Sequence, residues 1–146
     1  LEAYGKRFTF GDVERASRLA LDEGVYYAHF LILGGYGDTR ENVRETIENS
    51  RRMEYTVMFP YAGMRIYPHT RLAELAAKEG AIGRDDDLMA PSYYISRDFD
   101  LEEVRRAALA TGKAWVFPDD PQSALADTLR LKRNKKGPLW EYLRKP

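Results

Sequence analysis

The stretch His29-Phe30-Leu31-Ile32-Leu33-Gly34-Gly35-Tyr36-Gly37-Asp38-Thr39 decides the reading of this chain. An apolar run meets a glycine cluster, and an acid–threonine pair then opens an amphipathic pattern through Val43 and Ile47. That order predicts a buried strand, a tight turn and a helix start. In α/β proteins ligands gather at such a junction, at the carboxyl end of a strand. A second junction of the same kind stands at Met64-Arg65-Ile66-Tyr67-Pro68-His69-Thr70. Two such turns predict a barrel-type repeat.

Working outward, Thr9 reads as an N-cap with Asp12 in the capping-box place. Val13, Ala16, Leu19 and Ala20 follow at helical spacing, and Gly24 is a stop signal. Residues 25–33 read as a strand, rich in aliphatic and aromatic residues. Thr39 caps the next helix, with Val43, Ile47 and Ser50 or Met53 inward and Arg44, Glu48 and Arg51 toward water. Residues 55–61 form a second apolar run centred on Thr56-Val57-Met58-Phe59, and Pro60 is expected to end regular pairing. Residues 64–67 are a short extension or a continuation of that strand. Pro68-His69-Thr70 then turns into a helix with Leu72, Leu75 and Ala76 inward and Gly80 as its cap. The alternation of helix and strand predicts a parallel sheet or β/α barrel.

After Gly83 the character changes, so residues 1–83 and 84–146 are expected to be different regions. Asp85-Asp86-Asp87 reads as a solvated turn or helix cap. Residues 88–95 are an edge strand or an extended lid. Asp100 and Glu103 form a further capping box ahead of Leu101, Val104, Ala107 and Ala108. Trp115-Val116-Phe117 is an apolar patch closed by Pro118. Residues 123–133 read as a helix, and residues 139–143 as a last helical turn.

The 146 residues are 44% hydrophobic and 32% charged, a balance that fits one folded domain. Twenty-three basic and 23 acidic residues cancel, which argues against a nucleic-acid partner, the basic run at residues 130–136 included. No apolar run is long enough to span a bilayer and no signal-peptide pattern appears, so a cytoplasmic location is expected. The chain has no cysteine and two histidines, His29 and His69, so thiolate chemistry and cysteine-ligated metal are excluded. It begins with Leu1, and an excised piece of a larger protein is expected.

The glycine turn lacks the lysine of a phosphate-binding loop and the spacing of a dinucleotide site. Its wording, Ile32-Leu33-Gly34-Gly35-Tyr36-Gly37-Asp38-Thr39, resembles instead the fifth-strand motif of radical S-adenosylmethionine (SAM) enzymes, an apolar strand followed by Gly-x-Pro-Gly-Glu-Thr. Gly34, Gly37 and Thr39 match, Asp38 stands for the glutamate and Tyr36 for the proline. Residues 63–72 resemble the sixth-strand segment of the same enzymes, with His69 in place of a glycine. Glu79-Gly80-x-Ile82 and Asp86-Asp87-Leu88-x-x-Pro91-x-Tyr93-Tyr94 extend the likeness over about two thirds of the chain, closest to the cobalamin-binding and lipid-biosynthesis-associated types.

The resemblance implies an α/β fold, namely the C-terminal portion of a partial β/α (TIM-like) barrel with an α-rich C-terminal extension. It implies that Ile32, Gly34 and Gly35 contact the adenine of SAM from one turn, and Arg65, Ile66 and Tyr67 from the next. It also implies a 4Fe-4S cluster in the full-length enzyme, held by a Cys-x-x-x-Cys-x-x-Cys loop, and possible cobalamin. This chain has none of those cysteines, so it is expected to be inactive alone and to partner the missing N-terminal part. The small-molecule substrate stays open. His69 reads as a substrate or SAM contact or as a structural histidine. His29 reads as a hydrogen-bonded core or helix-facing residue. Arg65 can pair with a substrate carboxylate or phosphate, or form a structural ion pair. The competing reading is a non-catalytic α/β protein-interaction module; no constellation for a self-contained hydrolase or lyase stands out. Half a barrel exposes a strand edge and an apolar face. The piece is therefore expected to form a homo-oligomer, to swap a segment, or to cover its edge with the region after Leu88.

Overall fold

Capping side chains start the helices where the sequence supplies them. The computed structural model describes residues 5–118, and the first helix, α1 (Phe10–Asp22), opens on a complete capping box between Thr9 and Asp12. Helix α2 (Arg40–Asn49) does the same between Thr39 and Asn42 and continues as a 3-10 turn, Ser50–Arg52. Thr70 accepts the Ala73 amide to start α3 (Arg71–Lys78). Asp100 accepts the amides of Glu102 and Glu103 to start α4 (Leu101–Ala110). That last cap is only half of the expected box. The Glu103 carboxylate turns away to the guanidinium groups of Arg44 and Arg40.

The strands are shorter than the apolar runs that announce them. Strand β1 covers His29–Leu33, and residues 25–28 are connector. Val25 is engaged in closing α1, its amide donating to the Ala20 carbonyl at 2.7 Å. Side chains rather than a ladder tie Tyr27 to the neighbouring segment: its hydroxyl donates to the Glu54 carbonyl, and Thr56 Oγ1 donates to the Tyr27 carbonyl. Strand β2 (Val57–Ala62) runs parallel to β1 with Leu31 opposite Pro60. Pro60 therefore does not end the pairing with β1. Its missing N–H points to the other side, where Met58 accepts from Val116 at 2.9 Å. On that side β5 (Ala114–Trp115) pairs parallel with Val57 and Met58. The next rung there needs an amide from Pro60 or Pro118, and neither has one.

The resulting three-stranded sheet has the order β1-β2-β5. All the helices that pack on its core do so from one face. Leu31, Leu33, Met58, Trp115 and Phe117 meet Phe10 and Val13 of α1, Val43 and Ile47 of α2, and Val104 and Ala108 of α4. The inward face of α1 is not the expected stripe: Leu19 is exposed and Ser17 is buried, because Ser17 faces His29 on β1. On the other face Val57, at the start of β2, is buried, whereas Phe30, Ile32 and Tyr61 toward the carboxyl end stand at 62%, 48% and 42% exposure, so that part of the face is bare.

Residues 64–66 are neither the end of β2 nor a further parallel strand. As β3 (Met64–Ile66) they pair antiparallel with β4 (Ser92–Tyr94), the edge strand expected within residues 88–95. Gly63, at φ +73°, makes the bend between β2 and β3. This ribbon and α3 enclose a second core of Ile66, Ala76, Leu88 and Tyr94, with Tyr36 and Leu72 packed on it. The described residues beyond 83 thus belong to both cores, through β4, α4 and β5. No barrel is closed among the described residues. The helix expected over 123–133 and the turn over 139–143 lie outside them. No helix among the described residues is long and apolar enough to cross a membrane.

Candidate functional site

The two glycine turns meet at the carboxyl end of the sheet. The Gly63 amide donates to the Leu33 carbonyl at 2.8 Å, so Gly34 and Gly63 stand just past the ends of the neighbouring strands β1 and β2. Gly34 has φ +72°, and a side chain there would overlap the Phe99 ring. At Gly63 a Cβ would lie 2.5 Å from the Tyr94 carbonyl oxygen and 2.7 Å from Ile95. Both glycines therefore have a packing reason to be glycine. The residues that press on them come from one strap, 94–99. That strap is also hydrogen-bonded down: the Ser96 amide donates to the Gly34 carbonyl at 2.7 Å, and Ser96 Oγ donates to the Asp38 carbonyl at 2.9 Å.

Asp38 closes the first turn. Its carboxylate accepts the Gly35 amide at 3.1 Å. Burial raises its pKa above the ordinary carboxylate value, partly offset by hydrogen bonds from the Gly35 and Gly34 amides. Tyr36, where the resembled motif has proline, reaches into the second core and meets Tyr94 edge-on at 5.6 Å. Tyr94 in turn donates to Glu79 at 2.7 Å, and that carboxylate pushes the phenol up to about 12.

The six residues read as adenine contacts are placed differently from one another. Ile32 projects from the bare face. Gly34 and Gly35 are buried, and the polar atoms just described already hold them. Ile66 is 1% exposed inside the second core, so only its backbone remains for a ligand. Arg65 and Tyr67 are exposed, with the guanidinium 4.9 Å from the Tyr67 ring centroid. The structural ion pair considered for Arg65 does not form: it has no carboxylate partner among the described residues.

His29 is a core residue. Ser17 Oγ donates to the Val13 carbonyl at 2.8 Å and lies 3.3 Å from His29 Nε2. The hydroxyl has one proton, so Nε2–H is the donor in that second contact. Burial pushes the imidazole pKa down. His69 sits at φ +59°, the left-handed conformation for which the resembled motif uses glycine. Asp86 and Asp87 accept the amides of Leu88 and Met89, so the acidic run is a turn. No group of three His, Cys, Asp or Glu able to hold a metal ion occurs among the described residues.

Two surfaces among the described residues offer a ligand room. A cleft between the first turns of α2 and α4 is lined by Gly34, Val43, Phe99 and Val104, but its enclosed volume of about 20 Å³ is room for roughly one water. The bare sheet face is larger. Phe30 stacks on Phe59 at 5.1 Å and on Tyr61 at 6.3 Å, with interplanar angles of 15° and 20°. Sequence reasoning passed over these aromatics because alternation shows that a face exists and not what covers it. The strap contacts were equally hidden, since Phe99 lies 65 residues beyond Gly34 and no local signal joins them. No family model, curated protein or solved structure matches the chain.

Proposed function

We propose that this chain is the C-terminal part of a radical SAM enzyme's β/α barrel, lining one side of the SAM and substrate chamber in the cytoplasm. The observation that supports the reading is the one-sided sheet. Parallel strands in the order β1-β2-β5, with helices packed on one face and a bare stretch on the other among the described residues, are what a segment of a singly wound barrel presents. A doubly wound sheet would carry helices on both faces. The bare face is then the barrel interior, and the turns at Gly34 and Gly63 stand at its ligand-binding end.

The residues present divide the cofactor chemistry clearly. With no cysteine and no metal-ligating cluster among the described residues, this chain does not fit a 4Fe-4S cluster, and its contribution is binding and positioning only. For SAM, Ile32 supplies an exposed aliphatic contact, and Arg65 and Tyr67 are within reach of solvent. Gly34, Gly35 and Ile66 act by holding the two strand ends in register.

The test is SAM titration calorimetry on the longer gene product, where an upstream Cys-x-x-x-Cys-x-x-Cys is expected. Ile32→Asp should weaken SAM by at least tenfold, the cost of setting an unpaired charge against an apolar ligand face. An upstream sequence without those cysteines rejects the reading. The interaction-module alternative draws on one fact, that Phe99 and Ile95 already account for Gly34 and Gly63; it expects no SAM binding by this chain or by the longer gene product.

A further inference from the structure

The bare face is uniform in chemistry. Across the paired rungs of β1 and β2 it presents Phe30, Ile32, Phe59 and Tyr61, with the Tyr61 hydroxyl its one side-chain polar atom. Barrel interiors are ordinarily filled by branched aliphatic layers; here three rings stand near-parallel on adjacent strands. Rings so stacked offer apolar contact and no counter-charge. The first cation along the chain beyond Tyr61 is Arg65. Arg65 lies four residues beyond Tyr61, within about 14 Å along the chain. It is exposed, steadied against the Tyr67 ring, and without a carboxylate partner among the described residues. The Arg residues beside the α2–α4 cleft differ: Arg40 and Arg44 share the Glu103 carboxylate.

We propose that this face and Arg65 together bind an amphipathic ligand, with an apolar body against Phe30, Phe59 and Tyr61 and a single anionic head, carboxylate or phosphate, on Arg65. This deepens the reading of the face as a chamber wall and rests on it. The aromatic platform sets the ligand's body, and the guanidinium sets which end points to the strand termini. A charged body is disfavoured, because no counter-charge awaits it on the sheet.

Two fluorescent probes of one shape separate the components. 1-Anilinonaphthalene-8-sulfonate carries an anionic head, and N-phenyl-1-naphthylamine is the same body without it. Both should bind the protein, the anionic probe more tightly. Arg65→Gln should weaken the sulfonate probe about tenfold, the loss of one charge-assisted pair, and leave the neutral probe unchanged. Phe30→Thr should weaken both alike. Cooperative urea unfolding of each variant checks that the fold is kept, and Arg71→Gln serves as a control cation that should affect neither probe. The proposal is overturned if Arg65→Gln spares the sulfonate probe or weakens both equally, or if Phe30→Thr leaves both intact. Phosphate competing with the sulfonate probe in the parent and not in Arg65→Gln supports a phosphate head; acetate doing so supports a carboxylate. Failure here with SAM binding intact in the longer protein rejects the ligand class alone, whereas failed SAM binding with the probe pattern intact rejects the SAM reading.

Discussion

Gly34 carries two constraints that can be measured apart. Its φ of +72° costs any other residue backbone strain, and its Cβ position is filled by Phe99. Gly80 has nearly the same φ, +75°, with nothing near its Cβ position. Gly80→Ala should therefore cost about 1 kcal/mol from conformation alone, and Gly34→Ala about 2–4 kcal/mol once the overlap with Phe99 is added. Equal losses in urea denaturation would show that Phe99 moves aside freely. His69 is the converse case, a side chain held at φ +59°. His69→Gly should stabilise by about 0.5 kcal/mol, strain relieved less the entropy glycine adds to the unfolded chain. His29 supplies a pH dependence. Its folded-state pKa lies below the ordinary 6.5 because burial penalises the imidazolium. The unfolded chain therefore takes up the proton first as pH falls. Stability is full above about pH 6.5 and is lost as pH drops through the lower folded value. His29→Gln, which keeps a donor for Ser17, should flatten the fall in stability between about pH 7 and pH 5; an unchanged slope in urea titrations would assign that fall to other groups.

Among elements, the N-terminus of α4 shows how a local motif is redirected by its surroundings. Asp100 and Glu103 have capping-box spacing, yet Asp100 alone caps, while Glu103 joins α4 to α2 through Arg44 and Arg40. Asp100→Ala should cost about 1 kcal/mol, and Glu103→Ala about 0.5 kcal/mol, since its pairs are solvent-screened. Comparable losses from both would restore the reciprocal box. The same contrast explains what the sequence could disclose. Helix starts at Thr9, Thr39, Thr70 and Asp100 are encoded within four residues, and the structure has all of them. The parallel pairing of β1 with β2 follows from the alternation of strand and helix. What needs contacts between distant residues was not legible. Two-residue β5 (Ala114–Trp115) has no alternation to betray it at the start of the apolar patch, and the β3–β4 ribbon joins segments centred 28 residues apart, Arg65 opposite Tyr93, with a glycine bend at its root. The candidate turns were readable as turns. That residues 94–99 occupy Gly34 and Gly63 from behind was not, and that placement moves the available ligand surface from the glycines to the bare face.

At the scale of the whole molecule, one face of the sheet is an unmet demand. Strand β5 covers part of the outer edge of β2, which answers the expectation that the region after Leu88 would shield an edge. The far edge of β1 pairs with no strand among the described residues, and Phe30 stands 62% exposed beside it. An open edge beside contiguous apolar side chains is a template for association. Without an upstream segment, the 146-residue chain should therefore associate with rising concentration, visible as a shift in sedimentation coefficient. Phe30→Thr removes the most exposed ring while keeping a β-branched residue on the strand. It should cost about 1 kcal/mol, from the lost stack on Phe59, and yet reduce association. The two effects pull in opposite directions: a variant that merely unfolds more easily would aggregate more, whereas loss of the contact surface yields a less stable but more monomeric protein. A parent chain that stays monomeric at its highest soluble concentration would mean the face is not sticky enough to need a partner, and would weaken the barrel reading at its root. If association is seen, the proposed barrel reading makes a further prediction for a longer gene product. Upstream strands pairing with β1 and closing over Phe30 should abolish it without any substitution, and should protect the β1 amides from hydrogen exchange.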